Sequence, residues 1–203
     1  TIPNYSETGL DIRNTGGFYN SWAILSGELV CAHPDVLKYG QNTYTASSSP
    51  FHRWWKCYTI IRQAMILLNE APESMGNIDD QSGFISPEEM QRYKADAMYL
   101  IAYNYFLLFE LYGPVPLITE IADPEKTDID YERASVDETI MYIDNILNEI
   151  INGKYKNVLP ETLKTNEGND YDHDNSIYDL NNIIRPTQAA ALALRARLWV
   201  YAA

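Results

Sequence analysis

Alternating aspartates form the most distinctive pattern of potential metal ligands in this 203-residue sequence. Asp170, Asp172 and Asp174 stand at the first, third and fifth positions of the stretch DYDHDN. Carboxylates at this spacing open the calcium loops of EF-hand proteins, in which hard oxygen ligands converge on a hard cation. The twelfth position, however, is Asn181 and not the bidentate glutamate. A structural calcium site is therefore one interpretation, and an exposed acidic loop is the other; no other cofactor is expected.

A second group of side chains has the chemistry that sugars require. A pyranose packs its apolar C–H face on an aromatic ring, and its hydroxyls need hydrogen-bonding partners. Trp55, Tyr39, Asn42 and Tyr44 supply these residue types close together in the sequence, so they form the candidate glycan-binding residues. Packing of these aromatic side chains against neighbouring helices is the alternative.

Catalysis, nucleic-acid binding and membrane spanning are not indicated. The three histidines are scattered, and no glycine-framed nucleophile or glycine-rich phosphate loop is present. We therefore expect a protein that is not an enzyme. A net charge of −13 argues against nucleic acid and anionic lipid, and no apolar run reaches membrane length. Cys31 and Cys57 are read as two buried thiols, with one disulfide as the alternative.

The elements that position these residues are predicted to be helices, which gives an all-α fold with long polar loops. Apolar residues recur at helical spacing between recognisable start and stop signals. Residues 100–106 and 194–200 also share a similar pattern, as two equivalent helices of an α-solenoid would. The predicted helices cover approximately residues 17–30, 50–69, 87–112, 136–151 and 186–203.

The third predicted helix is the centre of the array. Ser86 and Glu89 predict a capping box at its start, and Gly113 followed by Pro114 marks its end. Residues 98–111 are apolar or aromatic at nearly every position, so neighbouring elements must cover this half on several sides. In the preceding helix Trp54 is predicted to be a core residue, in one heptad column with Ile61 and Leu68, and Trp55 lies on the flank.

The last predicted helix has no stop signal. It ends on the apolar residues Trp199, Val200 and Tyr201, which would need a packing partner. The chain is therefore interpreted as incomplete at its C-terminus. We expect residues 1–203 expressed alone to be poorly soluble because this apolar face lacks its neighbour.

Four segments together resemble the SusD/RagB family of outer-membrane glycan-binding lipoproteins. They occur in the family's order and at its approximate spacing, and the piece YGPVPL at 112–117 is the most specific. Because family members are more than twice as long, the chain resembles their N-terminal part. The segments are Trp54-x3-Tyr58-x2-Ile61-x2-Ala64, residues 97–117, Arg133-x-Ser135-Val136-x-Glu138 and Arg185-Pro186-Thr187-x2-Ala190-x3-Ala193-x2-Ala196.

The resemblance implies a single helical domain over residues 1–203 with a tetratricopeptide-like architecture. It further implies a non-catalytic protein on the outer face of the outer membrane, which captures an oligosaccharide or polysaccharide for a SusC-like TonB-dependent transporter. The lipid anchor of such a protein would lie outside this sequence. The alternative function is a tetratricopeptide-type scaffold that binds a protein or peptide, which a helical array alone would support.

Overall fold

A computed structural model describes four helices and, within the described residues, no strand. The all-α class predicted from the sequence is thereby confirmed. The predicted helix at 17–30 lies outside the described residues, which are 53–76, 83–121, 130–161 and 185–203. The helices are α1 (Arg53–Glu70), α2 (Pro87–Tyr112), α3 (Val136–Ile151) and α4 (Gln188–Ala202).

The chain divides into two compact units, Thr1–Thr59 and Ile60–Ala203, with the boundary inside α1. The single helical domain expected over residues 1–203 stays a prediction. In the second unit α3 packs on α2, and α4 packs on both. None of the helices in the described residues is long and apolar enough to cross a membrane.

Both ends of α2 follow from the residues at those positions. Ser86 Oγ accepts a hydrogen bond from the Glu89 amide at 3.2 Å. Only this half of the predicted capping box forms, because the Glu89 carboxylate instead accepts the Tyr93 hydroxyl at 2.7 Å. At the other end Gly113 has φ +69° and ψ −151°, a backbone conformation that is essentially restricted to glycine.

The apolar half of α2 is the core of the second unit, as its composition predicts. Tyr105 is fully buried, and its ring meets Tyr142 of α3 edge-on with 5.2 Å between the centroids. Its hydroxyl accepts a hydrogen bond from the Ile118 amide at 2.8 Å, which fixes the extended segment after α2. The side chains of α2 and α3 that are essentially inaccessible to solvent include Phe106, Leu108, Ile143, Leu147 and Ile150.

The start of α3 has a complete capping box. Ser135 Oγ accepts the Glu138 amide at 3.2 Å, and the Glu138 carboxylate accepts the Ser135 amide at 2.7 Å. These two bonds satisfy donors that a helix N-terminus otherwise leaves unpaired. The helix ends at Asn152, whose amide donates to the Asn148 carbonyl at 2.8 Å. Both boundaries agree with the sequence prediction.

The buried column of α1 differs from the predicted one. Trp54 is only half-buried, and its ring contacts Tyr58 with 5.3 Å between the centroids, so its assignment to the core is wrong. The buried apolar positions include Cys57, Ile61 and Ala64, which follow one another at helical spacing. Cys57 is a buried free thiol, in agreement with the first interpretation for this cysteine. Cys31 lies outside the described residues, and its burial stays a prediction.

The start of α4 is hydrogen-bonded to residues that lie more than twenty positions earlier in the sequence. Gln188 and Ala189 donate their amides to the carbonyls of Pro160 and Glu161, at 2.8 and 3.2 Å. Thr187 Oγ1 accepts the Ala190 amide at 3.1 Å. The first turn therefore has partners for donors that a helix N-terminus lacks. At the other end Val200 is 80% exposed, as the apolar end of the sequence predicts.

Candidate functional site

Trp55 has an outward-facing ring on α1. Its side chain is 61% exposed, although large aromatic side chains usually contribute to cores. The prediction that Trp55 lies on the flank of this helix is confirmed. Arg53 and Cys57, which flank it in sequence, are both buried. Burial raises the pKa of the Cys57 thiol to about 11, partly offset by the charge of Arg53, so this thiol is not a reactive group.

Two nearby side chains contact Trp55, one at its ring and one at its backbone carbonyl. The Lys56 ammonium lies 5.6 Å from the ring centroid, within the range of a cation–π contact. Thr59 Oγ1 donates to the Trp55 carbonyl at 2.8 Å, one helical turn further on. An exposed indole beside an ammonium group offers an apolar face and a hydrogen-bond donor, the two types of contact that a sugar ring uses. Lys56 was not among the residues predicted from the sequence.

The other predicted site residues lie outside the described residues. These are Tyr39, Asn42 and Tyr44 of the glycan group and Asp170, Asp172 and Asp174 of the calcium group. Their assignment stays a prediction. In the part of the chain that the structure describes, no group of three or more His, Cys, Asp or Glu side chains could hold a metal ion.

A buried ion cluster joins α2 to the start of α4. Arg185 Nε donates to Asp96 Oδ2 at 2.6 Å, and Arg92 Nη2 donates to the Pro186 carbonyl at 2.7 Å. The Arg185 guanidinium also lies over the Tyr93 ring, 4.8 Å from its centroid. Burial raises the pKa of Asp96 more than the two arginines lower it. These contacts join α2 to the residues that lead into α4, so the cluster positions the start of α4.

A second ion cluster joins α3 to α4. Arg195 donates to both carboxylate oxygens of Asp144, from Nε at 2.7 Å and from Nη2 at 2.9 Å. Trp199 Nε1 adds a third donor to Asp144 Oδ1 at 2.7 Å. Burial would raise the pKa of Asp144, but the hydrogen bonds from Arg195 and Trp199 and the charge of Arg195 together lower it. The bidentate geometry fixes the rotation of α4 about its axis relative to α3.

Replacement of this carboxylate should change stability in a pH-dependent way. Because the folded-state pKa of Asp144 is lowered, its contribution is present above the unfolded-state pKa near 3.8 and is lost as the pH falls through the folded-state value. We expect Asp144→Asn to lower the free energy of unfolding at pH 7, and this difference should shrink at pH 3. Urea denaturation at both pH values measures it. An equal difference at both, or an equal effect of exposed Asp130→Asn, would contradict the assignment.

A comparison with protein-family models matches residues 34–200 to the SusD-like family described as "Starch-binding associating with outer membrane". The match spans most of the chain. The chain belongs to the SusD-like family. A comparison with curated protein sequences found no match.

Several solved structures share the fold of this SusD-like chain. A laminarin-binding SusD-like protein is 22% identical over 92% of this chain, with a TM-score of 0.64. A SusD-like protein from Bacteroides fragilis is 21% identical over 81% of it, with a TM-score of 0.57. Surface glycan-binding protein A from Bacteroides uniformis is 20% identical over 73%, with a TM-score of 0.51.

The matched region is a minor part of each of these structures. This SusD-like chain spans 36% of the laminarin-binding protein, 26% of the B. fragilis protein and 27% of the B. uniformis protein. At these identities the likeness shows the fold. The tetratricopeptide-like helical array expected from the sequence is thereby confirmed.

Proposed function

We propose that this SusD-like protein is a non-catalytic glycan-binding protein of the cell surface. The observation that carries the proposal is the family match over residues 34–200, whose description names starch binding and the outer membrane. The laminarin-binding and surface glycan-binding proteins with the same fold support it. In this proposal the protein is a lipoprotein that faces outward from the outer membrane. It captures an oligosaccharide or polysaccharide for a SusC-like TonB-dependent transporter.

Trp55 is the residue that we propose contacts the glycan. An indole that is 61% exposed loses water-accessible apolar surface when a pyranose C–H face covers it, and this stabilises the complex. Neutral sugars also fit the electrostatics. The chain has a net charge of −13, which repels polyanions but does not oppose a neutral glucan. Tyr39, Asn42 and Tyr44 are proposed to complete the site.

The proposed contact is tested by removal of the indole. We expect Trp55→Ala to weaken binding of the full-length protein to laminarin or starch by up to about tenfold, the equivalent of about 1.4 kcal/mol. Affinity gel electrophoresis with each polysaccharide measures the change. Trp199→Ala is the matched control, because that indole is also exposed but donates its N–H to Asp144. Unchanged retention of Trp55→Ala by a polysaccharide that retains the wild type would remove Trp55 from the site.

A second candidate function is a scaffold that binds a protein or peptide. The observation that favours it is the exposure of two apolar side chains of α4, Leu192 at 51% and Val200 at 80%. Exposed apolar surface of this kind commonly marks a protein interface. Retention of the full-length protein by a polysaccharide supports the first function. Absence of any glycan ligand together with binding of a peptide supports the second.

A further inference from the structure

The sequence contains one Asn-Gly pair, and the structure places it at the C-terminal end of α3. Asn152 is exposed, and Gly153 follows it as the first residue beyond the helix cap. Asparagine is among the chemically least stable residues in proteins. Its side-chain amide is most easily lost when the next residue is glycine, because no side chain then shields the backbone nitrogen.

The helix cap itself requires this glycine. A Cβ atom at position 153 would lie 2.8 Å from Glu149 Cα and 2.5 Å from Glu149 Oε2. The Glu149 carboxylate occupies this space because its Oε2 accepts the Lys154 amide at 3.1 Å. A larger residue at position 153 could therefore be accommodated only if the backbone of α3 moved and this hydrogen bond broke. The packing that terminates α3 thus selects the residue that makes Asn152 chemically susceptible.

We propose that Asn152 is a site of deamidation, controlled by the opening of the C-terminal cap of α3. In the reaction the Gly153 backbone nitrogen attacks Asn152 Cγ and forms a new C–N bond. The Cγ–Nδ2 bond breaks, and the side-chain nitrogen leaves as ammonia with the proton lost from the Gly153 amide. One water molecule then opens the five-membered succinimide at either carbonyl, which yields aspartate or isoaspartate at position 152.

The closed cap holds both reacting groups away from this geometry. The Gly153 amide donates to the Asn148 carbonyl at 3.0 Å, and Asn152 Nδ2 donates to Asn148 Oδ1 at 2.9 Å. The ψ angle of Asn152 is −17°, which orients the Gly153 nitrogen along the helix and not toward Cγ. Both hydrogen bonds must break before the attack. The reaction rate therefore follows the local opening of the last turn and not global unfolding.

The product would weaken the end of α3. A carboxylate at position 152 stands where the helix dipole is negative, which is unfavourable. The new carboxylate also lacks the N–H group that donates a hydrogen bond to Asn148 Oδ1 in the unmodified protein. The same Asn148 oxygen lies 3.4 Å from Arg195 Nη1 of α4. Deamidation of Asn152 therefore also affects the contact between α3 and α4, because Asn148 Oδ1 is the acceptor for both Asn152 and Arg195.

Peptide mapping of the full-length protein after incubation at mildly alkaline pH tests the proposal. We expect conversion of Asn152 to a mixture of aspartate and isoaspartate, roughly tenfold or more slower in the folded protein than in urea. Exposed Asn145, which precedes Ile146, is the internal control and should remain intact. Asn148→Ala, which removes the side-chain acceptor, should speed the reaction in the folded protein but not in urea. No conversion at Asn152 in urea, or equal rates in the folded and unfolded protein, would overturn the proposal.

Discussion

Phe106→Ala should lower the free energy of unfolding by about 3–5 kcal/mol, the usual cost of truncating a fully buried phenylalanine. Phe106 has no accessible surface in the apolar half of α2. The Tyr201 ring meets it edge-on with 6.2 Å between the centroids, and the Arg197 guanidinium lies over it at 5.2 Å. The substitution therefore removes buried apolar surface and leaves a cavity beneath α4. Urea denaturation of the full-length protein at pH 7 measures the change.

An exposed aromatic residue provides the control for this experiment. Tyr131 precedes α3 and is exposed, so Tyr131→Ala should change the free energy of unfolding by no more than about 0.5 kcal/mol. If the two substitutions had equal effects, the core would not lie along α2. Hydrogen exchange of Phe106→Ala provides a further test. If protection were lost only at the amides of α4, the substitution would have detached α4 locally while α2 and α3 remained folded.

Arg92→Met should be similarly destabilising, by about 3–5 kcal/mol, although methionine is a good helix former of comparable length. The arginine is only 2% exposed, and its guanidinium lies between α2 and the residues that lead into α4. Its Nη2 donates to the buried Pro186 carbonyl at 2.7 Å, and its Nη1 is 3.4 Å from Asp96 Oδ1. Methionine can neither donate to the carbonyl nor pair with the carboxylate. The Pro186 carbonyl then loses its buried hydrogen bond, and the Asp96 carboxylate, which is 14% exposed, loses one of its two cations.

Arg197→Met separates the effect of burial from that of the charge pair itself. Arg197 also pairs with a carboxylate, with 2.7 Å from Nη2 to Glu110 Oε1, but its side chain is 62% exposed. Exposed ion pairs contribute about 0–1 kcal/mol because water competes for both charges. Chemical denaturation of the two variants should therefore give clearly different losses. Equal losses would mean that neither the burial of Arg92 nor its hydrogen bond to Pro186 adds to the effect of its ion pair.

The helix boundaries were predictable because their signals are local. Ser86 and Ser135 cap α2 and α3, and Gly113 ends α2 with a positive φ angle. A capping residue contacts groups two or three positions away, so its effect can be read from a short stretch of sequence. The exception is Glu89, whose carboxylate binds Tyr93 one turn further on. Two acceptable partners lay within reach, and the sequence does not reveal which of them is bound.

The long-range contacts were not predictable in the same way. Asp96 pairs with Arg185, and Asp144 with Arg195, across large separations in the sequence. Many other pairings of opposite charges are possible in a single sequence. The buried column of α1 was missed for another reason, because Cys57 and Ala64 are small and weakly apolar beside the aromatic residues around them. The exposure of Trp55 could be predicted from its position on the helix, but its contact with Lys56 depends on a side-chain rotamer.

The hydrogen bonds from the first turn of α4 to Pro160 and Glu161 have a consequence for how this region can diverge during evolution. They join residues 188 and 189 directly to residues 160 and 161, so the start of α4 is positioned without any contribution from residues 162–184 to these bonds. The entropic cost of closing a flexible loop rises by only about 0.6 kcal/mol for each doubling of its length. Insertions and deletions between residues 162 and 184 should therefore be nearly neutral for the position of α4, whereas changes at Arg185, Pro186 or Thr187 should not be. Related chains can therefore differ in the length of the stretch 162–184 and still keep the same start of α4.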